Sequence, residues 1–226
     1  MKHKKHLLIV DNAVYRDVYK PVDHWLRYVG PDFNISVIKK EEKIPDAHLY
    51  SHIIITGSEA SINRPDDWVQ PQLDLIRQAV SSGIPTLGSC HGHQMIAMAI
   101  AGKGVVRASK TPEFGWFELE IVREHDLFKG IQRPVWSFCT HFDEVHSLPD
   151  NFTVLAKSKK CSVQIFCLNS APVFGIQAHP EINPEEGEQL ISDFLPLFPR
   201  MKEHPVDRPA KDSGLVETIM KNFLAL

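Results

Sequence analysis

Gly88-Ser89-Cys90-His91-Gly92-His93-Gln94 stands between a short apolar strand at residues 84–87 and an apolar run at 95–101 that only a buried helix accommodates. One cysteine is thereby lifted onto a sharp strand-to-helix turn, which is how a chain displays a nucleophile. Gly88 and Gly92 keep side chains out of the adjoining strand and helix at this tight turn. A thiol attacks only as the thiolate. The N-terminus of a helix starting near His91 favours a negative sulfur, and a histidine that takes the proton completes a thiolate–imidazolium pair. Far downstream, His179-Pro180-Glu181 follows another apolar strand at 173–178. In a parallel sheet the C-terminal end of that strand lies beside the turn, so His179 is the candidate base and Glu181 the group that orients it. The competing reading of Cys90 is a small buried core residue; the paired glycines and the strand–helix context argue against it.

Working outward, residues 7–10 form a short apolar strand of the buried parallel type, followed at 11–28 by a segment helical in parts and interrupted at Pro21. Residues 35–38 and 53–56 read as further strands. Val69, Leu73, Ile76 and Val80 recur at helical spacing in 67–82, with Pro71 in the first turn and Gly83 at the stop. Strands alternating with helices predict a parallel sheet covered on both faces. The second half changes character: 117–122, 135–139, 152–156, 163–168 and 173–178 are short strands with hairpin-like connections. A helix at 184–197 ends near Pro196 and Pro199, a polar linker spans 201–209, and a last helix covers 215–224. The expected fold is α/β, one mostly parallel mixed sheet with an additional antiparallel portion. One domain is expected over 1–226, with its core at about 7–198 and a C-terminal helical extension at about 199–226.

With 226 residues, 43% hydrophobic and 23% charged, and a net charge of only -3, the chain has an ordinary globular profile and needs no metal or disulfide to hold its core. Lys2, Lys4 and Lys5 read as a solvated end rather than a nucleic-acid arm. The first apolar run is too short for a signal peptide, and no run approaches membrane-spanning length. Cys90, Cys139, Cys161 and Cys167 have no Cys-x-x-Cys spacing, which argues against zinc and for a reduced, cytoplasmic protein; the last three read as strand core. His3, His6, His24, His48 and His52 are scattered and read as surface or strand-end residues. Neither Gly-x-x-x-x-Gly-Lys-Ser/Thr nor Gly-x-Gly-x-x-Gly occurs, so ATP activation of an acceptor is not expected, and no cofactor, nucleic acid or membrane partner is.

The backbone N–H of His91 points toward the reacting carbonyl as one oxyanion donor, and Gly57, at the end of strand 53–56, suits the second. Gly-x-Cys-x-Gly-x-Gln followed by Gly175-x-Gln177-x-His179-Pro180-Glu181 resembles the class I, or triad, glutamine amidotransferases, over roughly 7–198. The segment 57–61 looks like their oxyanion loop, Phe114-Gly115-Trp116 like the stretch before their mid-chain hairpin, and 140–145 like the Ser-His-x-Asp-x-Val stretch of GMP synthase amidotransferase domains. The resemblance implies a flavodoxin-like three-layer sandwich. It further implies that Cys90 attacks the side-chain amide of glutamine to form a γ-glutamyl thioester. His179 relays the proton to ammonia and then activates water, and Glu181 orients His179. Gln94 and Ser58 hold the substrate, and Thr140, His141 and Phe142 line its pocket largely through backbone.

Three departures stand out. Gly57-Ser58-Glu59 replaces the common two-glycine-and-proline loop and brings a carboxylate near an anionic intermediate. Ser89 stands where an apolar residue is usual, and His91 either adds a positive neighbour to Cys90 or points away. The loop and elbow are also similar to a free-standing, GMP-synthase-like subgroup that includes plant γ-glutamyl peptidases. Three functions remain open on sequence: a glutaminase, a peptidase cleaving γ-glutamyl peptides, and a glutaminase component that works only with a separate ammonia-accepting synthetase. A redox or stress protein sharing only the elbow is disfavoured by the downstream His-Pro-Glu.

Overall fold

A computed structural model describes residues 4–226; Lys2 and His3 lie outside the described residues. In chain order the elements are β1 Lys5–Asp11, α1 Pro21–Leu26, β2 Phe33–Lys39, β3 His52–Ile55, α2 Val69–Ser81, β4 Thr86–Ser89, α3 His91–Ala101, β5 Val106–Ile121, β6 Val135–Val145, β7 Phe152–Lys157, β8 Ile165–Leu168, β9 Val173–Ile176, α4 Pro184–Leu197, β10 Val206–Asp207 and α5 Leu215–Phe223. The strands join in one sheet in the order β10-β5-β7-β8-β9-β4-β3-β1-β2, with β6 paired to β5. From β9 to β2 all neighbours are parallel, whereas β9, β8, β7, β5 and β6 are linked antiparallel. This is the expected mixed α/β sheet.

Period-two alternation sorts the core. Leu8 and Val10 of β1 face one side with Ile53 and Ile55, beneath the apolar stripes of α2 and α3. Leu7, Ile9 and Ile54 face the other side, beneath Trp25 of α1 and Val216, Ile219 and Phe223 of α5. A third cluster sits over the antiparallel β5–β6 ribbon, where Leu190, Ile191 and Phe194 of α4 meet Phe114, Trp116 and Phe138. The start of α4 is set by a capping box: Asn183 accepts from Glu186 N at 2.9 Å, and the Glu186 carboxylate accepts from Asn183 N at 3.3 Å. None of the helices in the described residues is long and apolar enough to cross a membrane.

Several expectations change. Pro21 does not interrupt a helix; it opens α1, where its missing N–H costs nothing, and 12–20 is loop. β5 begins at Val106, well before residue 117; its first half is polar (Arg107, Ser109, Lys110), pairs with β6 at 106–108 and again from Glu113, and is interrupted by a register shift between them. The 201–209 stretch is no linker: Met201 is buried within the 3₁₀ turn Pro199–Glu203, and β10 runs parallel to β5 at Phe114 and Gly115. Pro196 lies inside α4, and Pro199 starts the next turn. Cys161 lies in a turn before β8 rather than in a strand, although it is buried with Cys139 and Cys167. His24 is buried in α1 rather than at the surface, whereas His52, also buried, stands at a strand end as expected, the first residue of β3.

Candidate active site

β4 is buried along its whole length and delivers Cys90 to the carboxyl edge of the sheet. Cys90 has φ 47° and ψ -102°, and no other non-glycine residue among those described has positive φ. Such a conformation costs on the order of 1–3 kcal/mol and persists only where its surroundings enforce it. Here Cys90 N donates to Ile176 O of β9 at 2.8 Å, and Cys90 O accepts from Gln94 N at 3.1 Å in the first turn of α3. The flanking glycines answer to close approach. A Cβ on Gly88 would lie 2.5 Å from the Gly92 carbonyl group, and one on Gly92 would collide with Ile55 O of β3.

β9 pairs with β4 in register Gly88–Gly175 and Ser89–Ile176, so the chain leaving β9 passes beside the elbow. His179 N donates to Phe138 O at 2.7 Å, which fixes the backbone there. The imidazole Nδ1 lies 2.9 Å from Oε1 of the fully buried Glu181. Burial disfavours a charge on His179, but the negative charge that neighbouring Cys90 and Glu181 can carry, with the hydrogen bond to Glu181, outweighs burial and raises its pKa to about 10. Cys90, His179 and Glu181 are therefore brought together. An imidazolium that stays charged through neutrality is the partner a thiolate needs.

Two residues without an expected role complete this core. The buried Tyr19, on the loop after β1, places its hydroxyl 3.3 Å from both Glu181 Oε1 and His179 Nδ1, with its ring edge-on to the imidazole. Burial, then Glu181 and Cys90, push the Tyr19 pKa well above its usual value, so it stays a donor. Gln177 Nε2 donates to Cys90 Sγ at 3.7 Å, and its Oε1 accepts from Gln94 Nε2 at 3.2 Å. Alternation along 175–179 is the sequence signal for Gln177; Tyr19 has none, being 160 positions from His179.

The other expected residues surround this group. Gly57 follows β3 so closely that a Cβ there would lie 2.7 Å from His179 Cε1 and 3.4 Å from Cys90 Cβ. Ser58 lines the cleft, and its Oγ accepts from Ala60 N at 3.1 Å. Glu59 accepts from Val14 N at 2.8 Å and Tyr15 N at 3.2 Å, so its carboxylate ties two loops together; burial raises its pKa. The His91 side chain turns away onto Trp68, 5.3 Å between ring centroids, and burial lowers its pKa to about 4. It is neutral and adds no positive charge beside Cys90. Gln94 Nε2 also donates to Asp143 O at 2.9 Å. Thr140 presents its carbonyl to the Cys90 thiol at 3.8 Å, and Phe142 flanks the cleft under Arg200, 5.1 Å from its ring.

His141 is held by side-chain contacts, with Nδ1 at 3.0 Å from Asp143 O and Nε2 at 2.9 Å from the buried Glu113. Glu113, His141 and Cys161 bring potential ligand atoms within 4.8 Å of one another. The Glu113 carboxylate already accepts from Ser158 Oγ and Gln164 Nε2, each at 2.5 Å, and the Cys161 thiol, pushed up by burial, donates to Val163 O at 3.6 Å. The cluster is an internal hydrogen-bond network that braces the 140–143 segment.

Cys90, His179, Tyr19, Ser58, Gln94 and Thr140 line a cleft of about 510 Å³. A thiol, an imidazole with a carboxylate behind it, and backbone amides at a helix start are groups that acyl transfer through a thioester can use.

A sequence profile of the family described as Glutamine amidotransferase class-I matches residues 10–196. Among curated relatives, a glutamine-hydrolyzing GMP synthase subunit from Pyrococcus abyssi is 41% identical over 115 residues, 50% of this chain and 60% of that protein. The chain thus spans about 60% of the length of that relative. The corresponding GMP synthase subunit from Methanocaldococcus jannaschii is 34% identical over 193 residues, 83% of this chain and 95% of the relative. A crystal structure of a glutamine amidotransferase from Thermotoga maritima superposes with a TM-score of 0.74 at 22% identity, covering 98% of this chain and 95% of that one, which is a likeness of fold.

Proposed function

Because the chain belongs to the class I glutamine amidotransferase family, we propose that it hydrolyses the γ-carboxamide of glutamine through a γ-glutamyl thioester on Cys90. The Cys90 sulfur adds to the γ-carbonyl, and the backbone N–H groups of Gly57 and His91 receive the oxyanion. The C–N bond breaks as His179 passes its proton to the departing nitrogen. Water, deprotonated by His179, then adds to the thioester carbon, the C–S bond breaks, and glutamate leaves with the thiolate restored. Glu181 keeps the imidazole oriented throughout. Gln94, Ser58, Thr140, His141 and Phe142 hold the glutamate portion, in part through their main-chain groups.

The observation that carries this reading is the enforced positive φ of Cys90 beside an imidazole whose pKa rises to about 10. Purified protein should release glutamate and ammonia from glutamine and lose this in Cys90→Ala; equal rates in the two proteins would end the reading. We also infer a separate synthetase as the acceptor of the ammonia, which the names of the archaeal relatives support. Glutaminase activity that rises on mixing with such a partner, with no free ammonia accumulating, is its test.

A further inference from the structure

Gln177 is fully buried and does not line the cleft, so its side chain meets the sulfur of Cys90 without meeting a substrate. Its backbone is pinned, with Gln177 N donating to Gln164 O at 2.7 Å. A buried carboxamide needs a partner at both ends. Here the oxygen accepts from Gln94 Nε2 at 3.2 Å, and the nitrogen points an N–H at Cys90 Sγ, 3.7 Å away.

The surrounding groups dictate which end faces which. Asp143 O can only accept, so the Gln94 atom 2.9 Å from it is the amide nitrogen, which can only donate. That same nitrogen faces Gln177, which must present its oxygen there and its NH2 to the sulfur. Turning the Gln177 carboxamide over would set two NH2 groups against each other. Asp143 O is itself held: His141 Nδ1 lies 3.0 Å from it, and Glu113 backs His141 Nε2 at 2.9 Å. Glu113, His141, Gln94 and Gln177 are all buried, so water does not compete for these bonds.

Among the described residues, two groups hydrogen-bond the Cys90 sulfur. Thr140 O, at 3.8 Å, is an acceptor, which suits a thiol and repels a thiolate. Gln177 Nε2 is a donor and does the reverse. When the sulfur loses its proton, the bond to Thr140 O is lost and the bond from Gln177 strengthens.

We propose that Gln177 is a further catalytic residue, whose N–H holds the Cys90 sulfur whenever that atom carries negative charge, and that Gln94 is the positioning residue that keeps this N–H turned toward it. The role rests on the γ-glutamyl thioester chemistry proposed above. No proton leaves Gln177. In the first half the sulfur electron pair forms the C–S bond and the hydrogen bond weakens. In the second half the C–S bond breaks, its electron pair returns to sulfur, and the N–H receives the restored charge. Proton transfer stays with His179.

The test is Gln177→Met, which keeps the length of the side chain and removes the donor. Loss of a charge-assisted hydrogen bond predicts kcat for glutamine about 10-fold below wild type. KM should stay within about two-fold, because the side chain does not line the cleft. An unchanged kcat in the folded variant, or a fall in kcat matched by an equal change in KM, overturns the proposal.

A second readout needs no recognition of glutamine: the rate of Cys90 alkylation by iodoacetamide as a function of pH. At the pH that gives half the wild-type plateau, Gln177→Met should react about three-fold or more slowly, with the plateau itself not lowered. Gln94→Leu, which frees the Gln177 carboxamide to turn, should slow the reaction in the same way, and should add nothing to Gln177→Met. His179, Glu181, Tyr19 and Cys139, the titratable groups around Cys90, are the same in all these proteins. Profiles unmoved in both single variants overturn the proposal, and additive losses overturn the role of Gln94. If Gln177→Met does not fold, Gln94→Leu decides, and an unmoved profile there overturns the proposal. Wild-type protein that hydrolyses no glutamine while the alkylation profiles move as expected ends the glutaminase reading and leaves the hold on sulfur standing. Glutamine turnover with unmoved profiles does the reverse.

Discussion

A single methyl group at residue 57 tests the active-site geometry more sharply than removal of the nucleophile. An alanine Cβ there would lie 2.7 Å from His179 Cε1, 2.9 Å from the Tyr19 hydroxyl and 3.4 Å from Cys90 Cβ. The first two are well inside van der Waals contact, so the imidazole or the 57–61 loop must retreat by several tenths of an ångström. The imidazole is poorly placed to give way, being anchored to Glu181 at 2.9 Å and on a backbone tied to Phe138 O at 2.7 Å. Overpacking of this kind costs ~1–3 kcal/mol of stability, and a misplacement near 1 Å costs about 100-fold in rate. With a smaller displacement, Gly57→Ala should lower kcat for glutamine hydrolysis by roughly 10- to 100-fold, about 1.4–2.7 kcal/mol of barrier. The N–H at 57 is retained, so the loss measures displacement rather than a deleted donor. Gly104→Ala is the control, since a Cβ there meets nothing within 4 Å. The assay is glutamate release, with circular dichroism confirming the fold. Wild-type kcat in a folded Gly57→Ala protein would show that His179 and the 57–61 loop do not meet during catalysis.

Three further outcomes follow from the same groups. Tyr19→Phe deletes the hydroxyl shared by Glu181 and His179 and should lower kcat about 3- to 10-fold, as befits a charge-assisted but long hydrogen bond; an unchanged rate would make Tyr19 packing only. With His179 raised to about 10 by Cys90 and Glu181 against the opposing effect of burial, the alkaline limb of kcat/KM should lie near pH 10, and a limb near 6.5 would contradict the ion pair. His91 and His93 are buried, which lowers their pKa values to about 4 and about 3. The folded chain therefore binds fewer protons than the unfolded chain between their folded values and 6.5. The stability from these two groups is complete above pH 6.5 and is lost progressively as pH falls from 6.5 to their folded values of about 4 and about 3, on the order of several kcal/mol. Thermal melts should show Tm dropping over that interval, with a shallower slope in His93→Leu; identical slopes would place the acid sensitivity elsewhere.

What can be read from the chain alone is whatever local pattern encodes. The elbow is legible because two glycines and a change from apolar strand to apolar helix lie within a few residues of Cys90. The α4 boundaries are legible because Asn183, Pro184 and Glu186 write a helix start in four positions. The first half of β5 is not legible, because it is ordered by pairing with β6 at residues 106–108 and again from 113, on either side of a register shift, and a strand stabilised across a ribbon need carry no apolar alternation. The 201–209 stretch reads as a polar linker because one buried residue, Met201, anchors it, and one methionine makes no period. Tyr19, Glu113 and Gln164 act through side-chain partners 25 to 162 positions away.

The order of the parallel strands explains how such distant residues converge. β9, β4, β3 and β1 are consecutive neighbours, so the loops leaving their carboxyl ends present His179 with Glu181, then Cys90, then Gly57, then Tyr19 along one edge of the sheet. Each loop is held by another. Tyr19 reaches back across Gly57 to Glu181, Glu59 binds the amides of Val14 and Tyr15, and Ser61 ties the 57–61 loop to Asp143 at 2.6 Å. The carboxylate that departs from the usual oxyanion loop thus serves as a fastener, and burial is the main cause of its raised pKa. A site whose segments are fastened to one another is preorganised without help from a second protein. That favours measurable hydrolysis by the isolated chain, with any synthetase acting on the fate of the ammonia more than on assembly of the active site.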